Sequence, residues 1–131
     1  MEKDSNFSPI CIYPEGSQSN GTALLQFKKG AFVGMKTVSP HIIKYTWNKV
    51  SPTWDSMSFL AQAPIMYSYG TYKCVVKIVP DFKPNQYLLD THRDKGKEDW
   101  EIFAWAVRDV MAKVGGFEKN EQSLRDKVLY K

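Results

Sequence analysis

The sequence predicts a small α/β domain, in which a partial mixed sheet of a few strands packs against one long helix. Residues 72–79 alternate between apolar and partly charged positions, as the residues of a half-buried strand do. Residues 98–114 repeat apolar side chains every three or four positions, which is typical of a helix with one face on the core. Hydrophobic residues make up 43% of the 131 residues and aromatic residues 14%, which is enough for a packed core.

The N-terminal part predicts a strand, a polar loop and a second strand. Residues 9–13 form a short apolar run, and we expect a buried strand that Pro14 ends because proline lacks an amide donor. Residues 22–27 are compatible with a helical turn or with an extended segment. Residues 37–45 are rich in β-branched side chains and predict the second strand, with Pro40 at an edge or at the strand's start.

The middle of the chain is less regular. Prolines and many aromatic side chains in residues 47–69 allow either a short helix at residues 54–63 or an irregular aromatic wall. The strand at residues 72–79 comes next, and Pro80 ends it. The apolar face predicted for this strand consists of Tyr72, Cys74, Val76 and Ile78.

A charged connection at residues 81–97 leads into the helix at residues 98–114. Gly115 and Gly116 provide a C-terminal cap. The candidate N-caps are Asp90, Asp94 and Asp99, and the apolar positions of the helix are Phe103, Val107, Val110, Met111 and Val114. We divide the chain into a polar lead (1–8), the domain (9–116) and a peripheral tail (117–131).

Bulk properties exclude several functional classes. The net charge of +4 comes from 18 basic and 14 acidic residues that are scattered along the chain, so we expect no nucleic-acid partner. No apolar run approaches the ~18 residues that a membrane-spanning helix needs. Cys11 and Cys74 lie in apolar runs and predict buried free thiols in an intracellular, reducing compartment, with no metal site.

The polar loop after the first strand carries the functional signal. Glu15 would lie at the C-terminal end of a strand, and Gly16 allows a tight turn. Lys28 and Lys29 add positive charge just beyond the loop. The loop between them supplies hydroxyl and amide groups from Ser17, Gln18, Ser19, Asn20 and Thr22. Such a combination suits a phosphate or another polar head group.

This loop and the residues after it resemble the glycerolipid and lysophospholipid acyltransferases. Pro-Glu-Gly-Ser at residues 14–17, together with Phe-Lys-Lys-Gly-Ala-Phe-Val-Gly at 27–34, resembles the third conserved block of that family. Residues 36–43 are similar to its fourth block. Residues 103–116 resemble the helix that closes the domain in the lysophosphatidylcholine acyltransferase branch. The resemblance covers residues 10–116 and implies half of an acyltransferase-type α/β domain.

The resemblance implies roles for the loop. Glu15 and Gly16 would shape the pocket for the acceptor, with Ser17, Gln18, Ser19, Asn20 and Lys28 as further substrate-binding residues. Gln18 stands where many glycerophosphate-using members have a phosphate-binding arginine, which favours a lysophospholipid acceptor. The alternatives are that Glu15 only caps backbone amides and that the lysines are only solvated. The aromatic side chains between Trp47 and Tyr69 either pack in the core or line an acyl-chain groove.

The family's catalytic base is a histidine with four residues between it and an aspartate, in an earlier block. Neither His41 nor His92 has this spacing, so we assign no catalytic residue here, and His41 is interpreted as structural. Two hypotheses remain. The chain is one half of an enzyme that takes acyl-CoA as co-substrate, without a cofactor, and meets a lysophospholipid head group. Alternatively, it is a non-catalytic structural or lipid-contacting subunit of a larger membrane-associated assembly.

Under either hypothesis we expect exposed strand edges and one uncovered face. A protein partner or a missing N-terminal half would cover them, at the surface of the endoplasmic reticulum or of a mitochondrial membrane.

Overall fold

The computed structural model describes residues 8–16, 21–53 and 57–121, and in them two separate strand pairs contact one long helix. The first pair is parallel and joins β1 (Ala23–Leu24) to β4 (Glu118–Lys119). The second is antiparallel and joins β2 (His41–Trp47) to β3 (Tyr72–Ile78). The helices are α1 (Phe59–Tyr69), α2 (Gln86–Thr91) and α3 (Asp99–Gly115). The predicted α/β class is confirmed, with the strands arranged as two pairs.

The core forms around α3. Phe103 is fully buried and packs against Phe32 and Phe82, with ring centroids 5.5 Å and 5.9 Å away. Its neighbours one and two turns along, Val107 and Met111, are buried on the same side of the helix. Apolar spacing therefore predicted this helix and three of its core positions correctly. Of the other two predicted positions, Val110 is half-buried and Val114 is exposed.

Caps fix both ends of α3. The helix begins after Glu98, whose backbone N–H donates to the Glu101 carboxylate at 3.1 Å in a capping box. It ends at Gly116, where φ is +66°. The predicted C-cap is confirmed. The N-cap predictions Asp90, Asp94 and Asp99 are wrong, because Glu98 both takes the N-cap conformation and completes the reciprocal bond.

Residues 9–13 do not form the predicted buried strand. Ile10, Cys11, Ile12 and Tyr13 are all exposed, and this segment pairs with no strand of the part of the chain that the structure describes. An apolar run forms a strand only where a neighbouring strand accepts its hydrogen bonds. Cys74 is exposed as well, so the two thiols are free as predicted but the prediction that they are buried is wrong.

β2 and β3 form a ribbon with two different faces. The strand predicted at residues 37–45 is shifted along the chain: β2 begins at His41, directly after Pro40, and continues to Trp47. Of the two positions allowed for Pro40, the strand's start is the one observed. On one face, Ile42 is buried in the core that contains α3, and Lys77 donates to the carbonyl of Val114 at 3.0 Å.

The other face, which we call the open face, carries apolar side chains from both strands. The register places Ile43, Tyr45 and Trp47 of β2 opposite Val76, Cys74 and Tyr72 of β3, and His41 opposite Ile78. All of these are exposed except Tyr72, which is half-buried. The apolar face predicted for β3 is therefore present, but it is exposed, whereas a half-buried strand would bury it. It agrees with the expectation of one uncovered face, which the sequence did not assign to particular residues.

α1 extends this apolar surface. Its eleven residues include no charged side chain, and Phe59, Leu60, Ile65 and Tyr67 are exposed. The Tyr72 hydroxyl of the open face donates to the Met66 carbonyl at 3.4 Å, which places the end of α1 beside that face. The helix predicted at residues 54–63 exists but begins later, and residues 54–56 lie outside the described residues. None of the described helices is long and apolar enough to cross a bilayer.

Candidate functional site

The predicted acceptor loop begins with a tight turn at Pro14 and Glu15. The backbone N–H of Gly16 donates to the carbonyl of Tyr13 at 3.1 Å, and Gly16 has a φ of +65° that favours glycine. The Glu15 carboxylate then accepts a hydrogen bond from the backbone N–H of Leu25 at 3.1 Å. One of its oxygens is therefore engaged with the backbone ten residues further on, just after β1.

Lys28 lies against the same turn. Its backbone N–H donates to the carbonyl of Pro14 at 2.7 Å, which brings the two ends of the loop together. Its side chain passes over Gly16, where an added Cβ would lie 2.8 Å from Lys28 Cδ and 3.0 Å from Nζ. The structure thus brings together three of the predicted site residues, Glu15, Gly16 and Lys28. The other four, Ser17, Gln18, Ser19 and Asn20, lie outside the described residues.

The Glu15 carboxylate is half-buried, and this changes its acidity. Burial raises the pKa of Glu15 above its ordinary value, because the charged form loses solvation. The hydrogen bond from Leu25 and the positive charge of Arg108 both act in the opposite direction, and burial is the larger effect. A carboxyl whose charge is destabilised in this way is a candidate for a binding or proton-transferring group.

Arg108 is a residue that the sequence patterns did not single out. It lies on α3 and is only 5% exposed. One terminal nitrogen, Nη2, donates to the Leu24 carbonyl at 2.9 Å and to the Asn120 carbonyl at 2.5 Å. The other, Nη1, donates to the Glu121 carboxylate at 3.3 Å. The guanidinium therefore connects α3 to the strand that comes after the acceptor loop.

The sequence contained a signal for Arg108. It follows Ala104 by four positions and precedes Met111 by three, so the three residues share one side of a helix. Ala104 and Met111 are both buried. A charged residue on the core side of a predicted helix indicates an internal polar partner, since buried charges are paired or hydrogen-bonded. Its partners are far away in sequence, and only the fold identifies them.

The motif at residues 27–34 has a structural explanation. Phe27 and Phe32 are buried with their rings stacked, and their centroids are 5.8 Å apart. A 3₁₀ turn, Lys29–Ala31, lies between them and leaves Lys28 and Lys29 exposed. The two phenylalanines anchor the segment to the core, and this holds Lys28 at the loop.

Both histidines have structural contacts. His41 Nδ1 lies 2.9 Å from the carbonyl oxygen of Ser39, and the His92 ring packs on Trp105 with centroids 5.1 Å apart. In the described parts of the chain, no group of three or more His, Cys, Asp and Glu side chains could hold a metal ion.

A cavity of about 250 Å³ lies between α3 and the segment after β1. It is on the Arg108 side of this segment and is lined by both apolar and charged side chains. The lining residues are Gln26, Phe27, Lys95, Trp100, Glu101, Ala104, Trp105, Arg108 and Glu121.

Comparison with known proteins identifies the kind of protein to which these features belong. The chain is 32% identical over 121 residues to lysophospholipid acyltransferase LPEAT1 of Arabidopsis thaliana, covering 92% of this chain and 28% of that protein. It is 30% identical over 120 residues to lysophosphatidylcholine acyltransferase 2 of Homo sapiens (89% and 20%). It is 34% identical over 115 residues to glycerol-3-phosphate acyltransferase 3 of Xenopus laevis (86% and 24%).

The chain therefore spans only about a fifth to just over a quarter of the length of these relatives. No protein-family model and no solved structure matches it. The matches extend over nearly the whole chain, and their names agree on the kind of reaction. The chain is therefore part of an acyltransferase domain that is related to the lysophosphatidylcholine acyltransferases.

Proposed function

We propose that this chain forms the acceptor-binding part of an acyl-CoA-dependent lysophospholipid acyltransferase. The observation that carries the proposal is the closed loop in which the Lys28 side chain lies over Gly16, while the carboxylate of the preceding residue, Glu15, accepts from the Leu25 N–H. The loop belongs to a chain whose relatives are named for acyl transfer to lysophospholipids and to glycerol-3-phosphate.

The loop suits a phosphorylated head group. Lys28 provides a positive charge at the point where the chain enters residues 17–20, whose side chains carry hydroxyl and amide groups. An ammonium group and neutral donors can bind one phosphate together, and a charge-assisted hydrogen bond is the stronger of these contacts. Gln18 offers a neutral amide, so the loop fits the single phosphodiester of a lysophospholipid better than a phosphate monoester.

The reaction implied by this assignment is acyl transfer from a thioester to a hydroxyl. The hydroxyl oxygen of the lysophospholipid attacks the thioester carbonyl of acyl-CoA, a base takes the hydroxyl proton, and the thiol of coenzyme A leaves. We assign that base to a histidine paired with an aspartate outside these 131 residues. The role of this chain is to bind and orient the acceptor, and the first experiment probes that role without acyl-CoA.

That experiment is a titration of the full chain with lysophosphatidylcholine below its micelle concentration, monitored through the backbone amide signals of Gly16 and Lys28. The expected result is saturable movement of both signals. Lys28→Gln should weaken binding by about tenfold, which corresponds to the loss of one charge-assisted contact. Lys29→Gln is the matched control, because Lys29 is the neighbouring exposed lysine, and it should stay within about twofold. Equal losses in the two variants would contradict the proposal.

A second candidate function is favoured by the open face and α1. Together they present a large uncharged apolar surface, in which Tyr67 is 93% exposed. Surfaces of this kind mark protein or membrane contacts. In this candidate the chain is a structural or lipid-contacting subunit of a larger membrane-associated assembly.

Sedimentation with phosphatidylcholine vesicles tests this second candidate. The double variant Leu60→Ser with Tyr67→Ser should abolish binding if α1 contacts lipid, whereas Tyr87→Ser on α2, a residue that is 77% exposed, should not change it. Vesicle binding without any titration of the Glu15 loop by lysophosphatidylcholine would favour the second candidate over the first.

A further inference from the structure

We propose that Arg108 is a positioning residue for the acceptor loop, which it controls through the peptide group between Leu24 and Leu25 and through its charge near Glu15. The proposal rests on the proposed function only for the identity of the ligand. Whether Arg108 and Glu15 are coupled is a separate question, and an NMR titration answers it without any ligand.

One peptide group links the two residues. Arg108 Nη2 donates to the Leu24 carbonyl oxygen at 2.9 Å, and the Leu25 N–H of the same peptide donates to the Glu15 carboxylate at 3.1 Å. In a trans peptide these two groups point in opposite directions, so the cation is on one side and the carboxylate on the other. A cation on the carbonyl polarises the peptide and strengthens the hydrogen bond that its N–H donates. Arg108 therefore strengthens the contact that holds Glu15.

The charge balance around Arg108 supports the same conclusion. Its side chain is almost fully buried, whereas its ion-pair partner Glu121 is largely exposed and 3.3 Å away. Arg108 Nε is buried and has no hydrogen-bond partner in the part of the chain that the structure describes. A buried cation is costly unless an anion compensates it. Glu15 is a half-buried carboxyl on which the Arg108 charge acts, so it provides part of that compensation.

A purely structural role for Arg108 gives a different expectation. The same guanidinium also joins β1 to the end of β4 through the Asn120 carbonyl, and it could serve only as this link. In that case, removing Arg108 would lower stability and leave the titration of Glu15 unchanged. The proposal requires that the ionisation of Glu15 and the state of Arg108 depend on each other.

The experiment is a pH titration of the full chain by NMR, with two reporters. The Leu25 amide reports Glu15, because Glu15 accepts its hydrogen bond. The Arg108 Nε–H is buried, so its slow exchange makes it observable, and it reports the guanidinium. In the wild type, one transition of the Arg108 signal should share the midpoint of the Leu25 signal, and Arg108 should lose that transition in Glu15→Gln. A transition caused by its ion-pair partner Glu121 should remain. An Arg108 signal without a transition at the Leu25 midpoint would overturn the proposal, and this arm needs no Arg108 variant.

Variants of Arg108 extend the test. Arg108→Met should move the Leu25 midpoint to higher pH, because the stabilising cation is gone, and Arg108→Lys should return it towards the wild-type value. Asp109→Asn is the control. Asp109 is the next residue on the same helix, and the change removes its ion pairs with Lys113 of α3 and Lys119 of β4, so it should lower stability without moving the midpoint. If Arg108→Met does not fold, Arg108→Lys and the wild-type titration still decide whether Arg108 and Glu15 are coupled. Equal midpoints of the Leu25 amide signal in wild type and Arg108→Met would count against a positioning role for Arg108.

Lysophosphatidylcholine is then added to the same proteins. Binding should weaken about fivefold in Arg108→Met and stay within about twofold in Arg108→Lys. If the wild type does not bind the lipid although the two reporters share a midpoint, the proposed function fails and the positioning role stands. If binding occurs without a shared midpoint, the positioning role fails and the proposed function stands.

Discussion

The side chain of Lys28 lies across Gly16, so close that a methyl group on Gly16 would be 2.8 Å from Lys28 Cδ and 2.9 Å from Cε. The two residues belong to opposite ends of the acceptor loop. The hydrogen bond from the Lys28 N–H to the Pro14 carbonyl holds these ends together. Glycine is therefore needed here for two reasons. The turn requires a positive φ, and the Lys28 side chain occupies the space that a Cβ would take.

Gly16→Ala should lower the free energy of unfolding by about 1 kcal/mol, because alanine is strained at positive φ. It should also displace the Lys28 side chain and weaken lysophosphatidylcholine binding. Gly21→Ala is the matched control, since Gly21 has a φ of +77° and no atom of the described residues lies within 4 Å of an added Cβ. Urea denaturation should show similar losses for both variants, and titration with the lipid should show weaker binding only for Gly16→Ala. Weaker binding in both would mean that loop strain alone reduces affinity.

The raised pKa of Glu15 predicts the sign of a pH effect on stability. The folded state keeps the proton of this carboxyl to a higher pH than the unfolded state does, so the folded state binds more protons between the two pKa values. Stability from Glu15 is therefore fully present below the unfolded pKa and is lost as pH rises through the folded pKa. As the pH rises from acid to neutral, the urea midpoint of the wild type should fall relative to that of Glu15→Gln. A wild type that gains stability over this range relative to the variant would contradict the assignment.

Phe103 should be the most costly of the core positions to truncate. Phe103→Leu leaves a cavity between two aromatic rings and should lower the free energy of unfolding by roughly 1–2 kcal/mol, and Phe103→Ala by roughly 3–5 kcal/mol. Tyr87→Ala, at a largely exposed position on α2, should change it by less than about 0.5 kcal/mol. The check is equilibrium denaturation in urea, and a similar loss at both positions would argue against this core.

The capping box of α3 gives a prediction about local stability. Glu101 accepts from the backbone N–H groups of Lys97 at 2.6 Å and Glu98 at 3.1 Å. Glu101→Ala leaves both donors unpaired in the protein and should cost about 1 kcal/mol. Lys113→Ala in the last turn of the same helix removes an exposed ion pair with Asp109 and should cost only about 0.3–0.5 kcal/mol. Hydrogen exchange should show faster exchange in the first turn of α3 in Glu101→Ala alone.

Local patterns in the sequence predicted the elements whose signal is local. The helix predicted at residues 98–114 is α3, and the strand predicted at residues 72–79 is β3, each within one residue at either end. Pro40 marked the start of β2, and Gly116 provides the predicted C-cap. In each case, periodicity and a terminating residue agree with the packing that the fold requires.

Elements that depend on distant partners could not be predicted in this way. β1 and β4 have only two residues each, and they exist because segments about 95 positions apart meet. The apolar run at residues 9–13 has strand composition but no strand beside it in the described residues. α1 has no apolar and polar sides to distinguish, and Pro64 within it obscured the helical pattern.

In the candidate site, too, some residues were predicted from local patterns and one that depends on distant partners was missed. Glu15, Gly16 and Lys28 were predicted as site residues, and the structure brings them together, whereas their binding role stays a prediction. Arg108 was missed because a helix pattern shows that a charge is buried but not which carbonyl it meets. Its contact with Leu24 joins residues that are 84 positions apart in the chain.

The parallel pairing of β1 with β4 has a consequence for folding. Leu24 accepts hydrogen bonds both from Arg108 and from the backbone N–H of Asn120, so the strand after the acceptor loop lacks these two partners until α3 and the residues after it are in place. Contacts between such distant segments require closure of a long stretch of chain, which slows their formation. The loop is made before residues near 120 during synthesis, yet it takes its shape only after they have arrived. Any chain that stops before this point would keep the complete acceptor motif in its sequence and lack the means to shape it.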